Sequence, residues 1–306
     1  MALTIPLRPA QAKTMNKRPH ITEINLSTGK KGRLHRILHE SGLRNGTAML
    51  LPYGLSFGPG FQGLPVPDSP TDAIRFAFEG NFNAMVLPVD LAEKFYWDYA
   101  GELPLILTLN GMAAGSEGSS QPVPQGTVAD AVRLGADAVG YCLYADSPVR
   151  EGGFGDYQMV REDAERFGMP LFVWVYPRGK AVEEMGGADS LYAVDYATRT
   201  AHRLGADVVT VSFPHPEKQS QRLSGNVPRI YPQEAIDTVV RSADQTLVLV
   251  SSGGGIGDEA MLIETRHAMQ AGAAGIVFDR ALAEREHRAW MPLIRELKHG
   301  LSTYCS

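Results

Sequence analysis

From residue 47 onward the chain repeats one pattern, in which short apolar runs rich in Val, Ile, Leu and Met alternate with segments of helical spacing. None of the runs alternates cleanly between apolar and polar residues, which is typical of parallel strands covered on both faces. There are eight such runs, at residues 47–52, 83–88, 104–109, 136–143, 169–176, 206–213, 246–250 and 274–278. The pattern therefore predicts eight buried parallel strands.

The segments between the runs carry apolar stripes at helical spacing, for example Met261, Leu262, Thr265, Ala268 and Met269. Three helix-to-strand junctions also look alike. Each places a glycine where a helix end favours a left-handed residue, and the next strand begins within two residues. The three junctions are Leu134-Gly-Ala-Asp-Ala-Val, Leu204-Gly-Ala-Asp-Val-Val and Ala271-Gly-Ala-Ala-Gly-Ile. This quasi-repetition predicts a succession of βα units.

Eight strand and helix alternations favour a single-domain α/β fold, a (β/α)8 TIM barrel, over an open doubly wound sheet. The open sheet stays an alternative because Gly253-Gly-Gly-Ile-Gly257 is close to a dinucleotide-binding spacing, although it follows the seventh run and not the first. Residues 47–306 are assigned to the barrel. Residues 1–46 form an N-terminal extension whose short apolar stripe, Leu34, Ile37 and Leu38, predicts a helix against it.

Composition and charge narrow the class of partner. The 306 residues carry a net charge of −5 with no basic stripe, so neither nucleic acid nor a membrane is expected as a partner. No long apolar stretch or signal peptide is recognisable, which predicts a cytoplasmic protein. Of the 8 histidines only His215 falls at a strand end, and the 2 cysteines form no cluster. We therefore expect no metal site and no cofactor.

The loops after the seventh and eighth runs have the composition of a phosphate site. Ser252, Gly253 and Gly254 offer main-chain N–H groups ahead of a predicted helix N-terminus, and Arg280 follows the next strand. This is the usual place for phosphate in such a barrel. Alternatively, the glycines only turn the chain and Arg280 pairs with Asp279 or Glu284. On the first interpretation the partner is a phosphorylated small-molecule substrate.

Other candidate side chains also follow strand runs. Trp174 and Tyr176 share one face of the fifth strand, so both point into the barrel if either does, and a phenol there suits acid or base chemistry. Alternatively, both rings fill the core. Asn110 ends the third strand and either holds a substrate hydroxyl or caps its own loop. Tyr144 and Arg178 also follow strands, with no role assigned to them.

Together these residues resemble the archaeal-type class I fructose-bisphosphate aldolases. The resemblance covers the chain from about residue 47 and is carried by Leu107-Thr-Leu-Asn-Gly111, Phe172-Val-Trp-Val-Tyr-Pro-Arg-Gly179, Gly205-Ala-Asp-Val-Val209, Ser252-Gly-Gly254 and Phe278-Asp-Arg280. It implies a (β/α)8 barrel, phosphate binding at Ser252, Gly253, Gly254 and Arg280, and proton transfer by Tyr176. A homo-oligomer is plausible from the family alone.

The sequence departs from this family at its covalent chemistry. Members carry a Schiff-base lysine directly after the Gly-Ala-Asp-hydrophobic-hydrophobic run, where this chain has Thr210, and threonine cannot form a Schiff base. The family's Asp-His step after the first strand is missing as well. Lys180 and Lys218 lie on loops at the expected mouth of the barrel, and either would need desolvation to serve as a substitute amine.

The sequence therefore predicts a diverged enzyme of this aldolase family acting on a phosphorylated ketose or keto compound. In it Tyr176 moves the proton, Thr210 is a polar contact, Asn110 and Trp174 bind substrate, and Lys180 is a weaker catalytic candidate. The alternative is a catalytically silent barrel that binds a sugar phosphate as a sensor or as a partner subunit.

Overall fold

A computed structural model describes residues 18–54, 69–111, 123–146, 154–216, 230–251, 256–278 and 287–304. Within these ranges a closed parallel barrel is formed by eight strands, namely β1 (Ala48–Pro52), β2 (Ala84–Pro88), β3 (Leu105–Thr108), β6 (Ala138–Asp146), β7 (Leu171–Arg178), β8 (Val208–Ser212), β9 (Leu247–Ser251) and β10 (Gly275–Val277). β10 pairs with β1 and closes the sheet. The predicted (β/α)8 barrel is confirmed, and the open sheet is excluded.

Helices cover the outside of this barrel. They are α1 (Thr28–His35), α2 (Pro70–Glu79), α3 (Val89–Phe95), α4 (Val128–Arg133), α5 (Gly155–Phe167), α6 (Lys180–Glu184), α7 (Leu191–Arg203), α8 (Pro232–Ser242), α9 (Asp258–Gln270) and α10 (His287–Ser302). Arg36–Glu40 adds a π-helical turn after α1, Trp97–Tyr99 a short 3-10 helix, and β4 (Asn110–Gly111) pairs antiparallel with β5 (Val123–Pro124). Among the described residues no helix is both long and apolar enough to cross a membrane.

Two apolar layers follow from strand alternation. Leu50, Val86 and Ile106 belong to the cluster inside the barrel, whereas their neighbours Leu51 and Leu87 pack against the outer helices. The predicted helix of the N-terminal extension is present. Its buried residues Leu34, Ile37 and Leu38 join the interior cluster and cover the amino-terminal end of the barrel.

Three ion pairs join this extension to the barrel. Lys30 Nζ lies 2.9 Å from Asp207 Oδ2 and 2.9 Å from Glu165 Oε2, and Arg36 Nε lies 2.7 Å from Asp137 Oδ1. Both aspartates come from the repeated Gly-Ala-Asp junctions, immediately before β6 and β8. The repeat therefore presents one carboxylate at the start of each strand, and each receives a cation from the extension.

Candidate active site at the barrel mouth

The carboxyl-terminal ends of the strands form the barrel mouth, which is where enzymes of this architecture place their chemistry. The β6–β7 ladder runs from Val139–Leu171 to Asp146–Arg178, whereas the ladder of β8 with β9 ends at Ser212–Ser251. The β6–β7 ladder therefore continues past Cys142 and Trp174, the last buried interior residues of these two strands.

Tyr176, Tyr144 and Arg178 form an aromatic and cationic cluster on this extension. Tyr144 and Tyr176 are register partners whose ring centroids lie 5.7 Å apart, and the Arg178 guanidinium carbon lies 4.3 Å from the Tyr144 ring centroid. Burial raises the pKa of Tyr144 to about 12, and the charge of Arg178 only partly offsets this. Tyr144 is therefore a neutral phenol at physiological pH. The sequence placed Tyr144 and Arg178 at strand ends, but their stacking depends on which strands are neighbours.

Trp174 lies on the same strand face as Tyr176, as alternation predicts, but deeper in the barrel. It is only 1% exposed and belongs to the interior cluster, whereas Tyr176 is half-buried at the edge of that cluster. The sequence left open whether these two rings line the mouth or fill the core. In the structure Trp174 fills the core and Tyr176 lies at the mouth. Substrate binding by Trp174 stays a prediction.

Gly140 makes room for the indole of Trp174. A Cβ atom there would lie 2.9 Å from Trp174 Cζ3 and 3.0 Å from Thr108 Cγ2, which is closer than these groups tolerate without moving. We expect Gly140→Ala to reduce the free energy of unfolding by about 1–3 kcal/mol, the usual effect of overpacking a core. Urea unfolding followed by tryptophan fluorescence measures it.

Gly32→Ala is the matched control for this prediction. Gly32 lies in α1, and a Cβ atom there meets no atom within 4 Å. Removing a glycine from a helix interior at an open site should raise stability by about 0.5–1 kcal/mol. Equal stability changes at the two positions would contradict the packing described for Trp174.

Thr210 lies on β8 beside Trp174 and faces the barrel interior. It is the register partner of both Trp174 and Leu249, two members of the interior cluster, and it is 2% exposed. Within the described part of the chain its hydroxyl has no hydrogen-bond partner. Thr210 therefore faces the barrel interior, and its role as a polar contact stays a prediction.

Lys180 does not have the environment of a reactive amine. It begins α6, its side chain is 87% exposed, and its ammonium lies 3.6 Å from Glu184 Oε1. A solvated, ion-paired lysine is a poor nucleophile. Lys218, the other candidate, lies outside the described residues.

The remaining lysines of the described ranges also lie away from the mouth. Lys30 is buried at the opposite, amino-terminal end. Burial lowers the pKa of Lys298 to about 8, but this residue is on α10 and donates to the main-chain oxygens of Gly80 and Asn81, outside the barrel. Lys31 lies on α1 at the amino-terminal end of the barrel, and Lys94 lies on the outer helix α3. Among the residues that the structure describes, no lysine amine therefore points into the barrel.

Asn110 uses its amide on the main chain. Its Nδ2 donates to Cys142 O at 2.9 Å, and its Oδ1 accepts from Cys142 N at 2.7 Å. The side chain therefore makes two hydrogen bonds to the main chain of β6, next to the β3–β6 pairing. It caps no loop of its own through these bonds. Contact between Asn110 and a substrate hydroxyl stays a prediction. Such a contact would require the Asn110 amide to bind the substrate as well as the Cys142 main chain.

The predicted phosphate-binding residues Ser252, Gly253, Gly254 and Arg280 lie outside the described residues. The described residues on either side of the glycine loop form a strand and then a helix, as the sequence predicts. Ser251 ends β9 and faces inward, and α9 begins at Asp258 after Gly257. Phosphate binding there stays a prediction. Among the described residues no group of three or more His, Cys, Asp or Glu side chains is arranged to hold a metal.

A cavity of about 580 Å³ opens at the other end of the barrel, beside Lys30, Glu165 and Asp207. These charged groups already pair with one another. The cavity lies at the amino-terminal ends of the strands, away from the cluster at the mouth. It is therefore not the candidate active site.

Comparison with known proteins gives a consistent result. Residues 67–284 match the model of the DeoC/LacD family aldolases. The chain is 32% identical over 247 residues to the class 1 fructose-bisphosphate aldolase of Thermoproteus tenax, covering 79% of this chain and 85% of that protein. It is 27% identical over 254 residues to a 2-amino-3,7-dideoxy-D-threo-hept-6-ulosonate synthase of Halobacterium salinarum, covering 83% and 85%.

A solved structure shares both the fold and recognisable sequence. It is an archaeal fructose-1,6-bisphosphate aldolase whose catalytic lysine is covalently bound to the carbinolamine intermediate of the substrate. Its TM-score is 0.70 at 29% identity, over 88% of this chain and 99% of that one. The family match over residues 67–284 includes the strands that carry Trp174, Tyr176 and Thr210.

Proposed function

Because the chain belongs to the DeoC/LacD aldolase family, we propose that it is an aldolase-like enzyme that acts on a phosphorylated ketose or keto compound without a Schiff base at position 210. The reaction is the making or breaking of a carbon–carbon bond next to a carbonyl, or a related transfer or isomerisation. The observation that carries the proposal is the position of Thr210: buried, inward-facing and with a hydroxyl that has no partner among the described residues.

Threonine rules out one mechanism and is suited to another. It has no amine with which to form an imine, but its hydroxyl is a hydrogen-bond donor in a low-dielectric interior. Donors that point at the atom where negative charge develops stabilise a transition state most effectively when water is excluded. We place the substrate carbonyl oxygen on Thr210 Oγ1, where it accepts this hydrogen bond as the charge grows.

Proton transfer is assigned to Tyr176. In cleavage a substrate hydroxyl loses its proton, the adjacent carbon–carbon bond breaks, and its electron pair passes to the carbonyl, which becomes an enolate. A water molecule at the open mouth takes the hydroxyl proton, Tyr176 donates its phenolic proton to the enolate carbon, and the proton held by the water then restores the phenol. Ser252, Gly253, Gly254 and Arg280 are proposed to hold the phosphate.

The direct test combines turnover with borohydride trapping. The full-length protein is incubated with fructose 1,6-bisphosphate, dihydroxyacetone phosphate with aldehydes, and related ketose phosphates. We expect turnover of at least one of them, and no borohydride-stable adduct by mass spectrometry. An adduct mapped to Lys180 or Lys218 would instead establish an amine mechanism and overturn the proposal.

Tyr176→Phe separates catalysis from binding. Removing the hydroxyl deletes the proton donor but keeps the ring that contacts Tyr144. General acid–base catalysis contributes typically 10²–10⁴-fold, so we expect kcat to fall about 10²-fold or more with KM changed less than about threefold. Steady-state kinetics checks this, with circular dichroism as the control for folding. An unchanged kcat would exclude Tyr176 as the proton-transferring residue.

A second function is favoured by one observation, the absence of an inward-pointing lysine among the described residues. A barrel that lost its amine can retain ligand binding without chemistry. In that case ketose phosphates raise the melting temperature, since a ligand that binds only the folded state stabilises it, while no turnover is found and Tyr176→Phe leaves binding unchanged. That combination identifies a sensor or a partner subunit.

A further inference from the structure

A second threonine shares the features of Thr210. Thr108 is the last residue of β3, pairs in register with Gly140, and is fully buried. Its hydroxyl has no hydrogen-bond partner within the described part of the chain. Strand parity points it into the barrel, because its partner Gly140 is in turn the register partner of the interior residue Phe172.

Trp174 connects the two threonines. Its ring edge and the Thr108 methyl group both lie within 3.0 Å of the position that a Gly140 Cβ would take, and on its other side Trp174 is the register partner of Thr210. The two threonines therefore lie on the strands that flank the β6–β7 pair, which carries Gly140 and Trp174. Both lie deeper in the barrel than the Tyr144–Tyr176–Arg178 cluster, because Thr210 pairs with Trp174, two residues before Tyr176, and Thr108 pairs with Gly140, four residues before Tyr144.

Two unsatisfied hydroxyls are energetically unfavourable in a folded interior. Each buried polar group without a partner costs about 1–3 kcal/mol, and the great majority of such groups in native proteins are paired. Two other buried threonines are paired: Thr198 Oγ1 donates to Val194 O at 2.7 Å, and Thr246 Oγ1 donates to Ala206 O at 3.2 Å. Other buried polar atoms without a partner among the described residues, such as Ser27 Oγ and Tyr157 OH, lie elsewhere in the fold, whereas the hydroxyls of Thr108 and Thr210 belong to residues that face the barrel interior.

We propose that Thr108 is a second substrate-binding residue, and that Thr108 and Thr210 form a threonine pair whose hydroxyls bind two different oxygen atoms of one polyhydroxylated ketose phosphate. This proposal rests on the proposed function, because Thr210 takes the carbonyl oxygen there. Thr108 takes a neighbouring hydroxyl of the carbon chain. The pair gives the site its selectivity for a sugar chain over phosphate alone.

Isosteric replacement tests the pair. Thr108→Val and Thr210→Val keep the shape of the side chain and remove only the hydroxyl. Affinities for fructose 1,6-bisphosphate, dihydroxyacetone phosphate and inorganic phosphate are measured by calorimetry on the full-length protein. We expect each substitution to weaken ketose phosphate binding about 3- to 10-fold, the value of one hydrogen bond, and to leave the affinity for inorganic phosphate unchanged.

The stability of the ligand-free protein provides a second readout. Replacing an unpaired buried hydroxyl with a methyl group removes its desolvation penalty, so both valine variants should unfold at higher urea concentration than the native protein. Thr198→Val is the matched control, because it deletes a hydroxyl that is already hydrogen-bonded within α7 and should lower stability without changing ligand affinity. If the Thr108→Val variant folds poorly, Thr108→Ser tests the role of the hydroxyl. It keeps the hydroxyl and removes only the methyl group, so its affinity for ketose phosphates should be unchanged.

The double variant tests whether two oxygens are bound. If the hydroxyls bind separate oxygens, the two losses multiply to about 10- to 100-fold, because independent contacts are additive in free energy. A double variant no weaker than either single one would overturn the assignment of two oxygens. If Thr108→Val binds ketose phosphates as tightly as the native protein does, Thr108 is not a substrate-binding residue, and the assignment of Thr210 is unaffected. If no ketose phosphate binds the native protein more tightly than inorganic phosphate does, the proposed function itself fails.

Discussion

Replacing Thr210 with lysine is expected to give the protein an amine that borohydride traps with dihydroxyacetone phosphate, whereas the native chain gives no adduct. Position 210 faces the interior and is almost fully buried, beside Trp174. Desolvation of a lysine at such a site disfavours the charged ammonium and lowers its pKa, which is what a Schiff-base nucleophile requires. The expected change is from no labelling to labelling of most of the protein, located by peptide mass spectrometry.

Two controls make this result specific. Thr210→Met introduces a side chain of comparable length without an amine and should give no adduct. Both substitutions enlarge a packed interior and should reduce the free energy of unfolding by about 1–3 kcal/mol, so their stabilities are compared first. If a folded Thr210→Lys variant that binds dihydroxyacetone phosphate remains unlabelled, position 210 does not face the substrate carbonyl, and the assignment of Thr210 to that atom is wrong.

Lys30→Met is expected to reduce the free energy of unfolding by about 3–5 kcal/mol, the usual loss when one member of a buried ion pair is removed. Lys30 is 3% exposed, and its ammonium lies 2.9 Å from carboxylate oxygens of both Asp207 and Glu165. Without it, Asp207 remains buried with a carboxylate that, among the described residues, keeps only the hydrogen bond from the Leu171 main-chain N–H. Urea unfolding measures the loss.

Lys31→Met is the matched control, since the adjacent lysine is only partly buried and, within the described residues, donates a hydrogen bond to Thr22 O at 3.4 Å. Its substitution should change stability by less than about 0.5 kcal/mol. Adding Asp207→Asn to Lys30→Met should recover part of the loss, because the orphaned charge is removed. Equal losses for Lys30→Met and Lys31→Met would show that the buried pair contributes nothing measurable.

The same ion pair predicts a dependence on alkaline pH. Burial alone would lower the pKa of Lys30, but the carboxylates of Asp207 and Glu165 outweigh it and hold the pKa above the ordinary value of 10.5. A raised pKa in the folded state means that the stabilisation is fully present below pH 10.5 and is lost as the pH rises through the folded value. The stability difference between the native protein and Lys30→Met should therefore be constant near neutral pH and narrow as the pH rises above 10.5.

Several site residues could be located from the sequence because strand alternation is a local property. The parity of the fifth run placed Trp174 and Tyr176 on one face, and the structure confirms that shared face. Periodicity does not report depth, however. Trp174 packs in the core because Gly140, on the neighbouring strand, leaves space for its ring. Asn110 was expected near substrate, yet its amide continues the pairing with Cys142.

The stacking of Arg178 on Tyr144 and the unpaired hydroxyl of Thr108 were not predictable from the sequence. Each depends on residues that are distant in the chain and meet only when particular strands become neighbours. The signal available in sequence was weak: a tyrosine and an arginine at strand ends, and a threonine at the end of an apolar run.

The sequence by itself determined the architecture, since eight apolar runs separated by helical stripes and glycine junctions suit a closed βα barrel. It also determined that no lysine side chain is available at position 210. Only the tertiary structure decided which polar groups are left unpaired inside the barrel, and that the aspartates of the repeated Gly-Ala-Asp junctions anchor Lys30 and Arg36. The physical reason is that hydrophobic periodicity acts over neighbouring residues, whereas hydrogen-bond satisfaction and ion pairing depend on the packing of the whole chain.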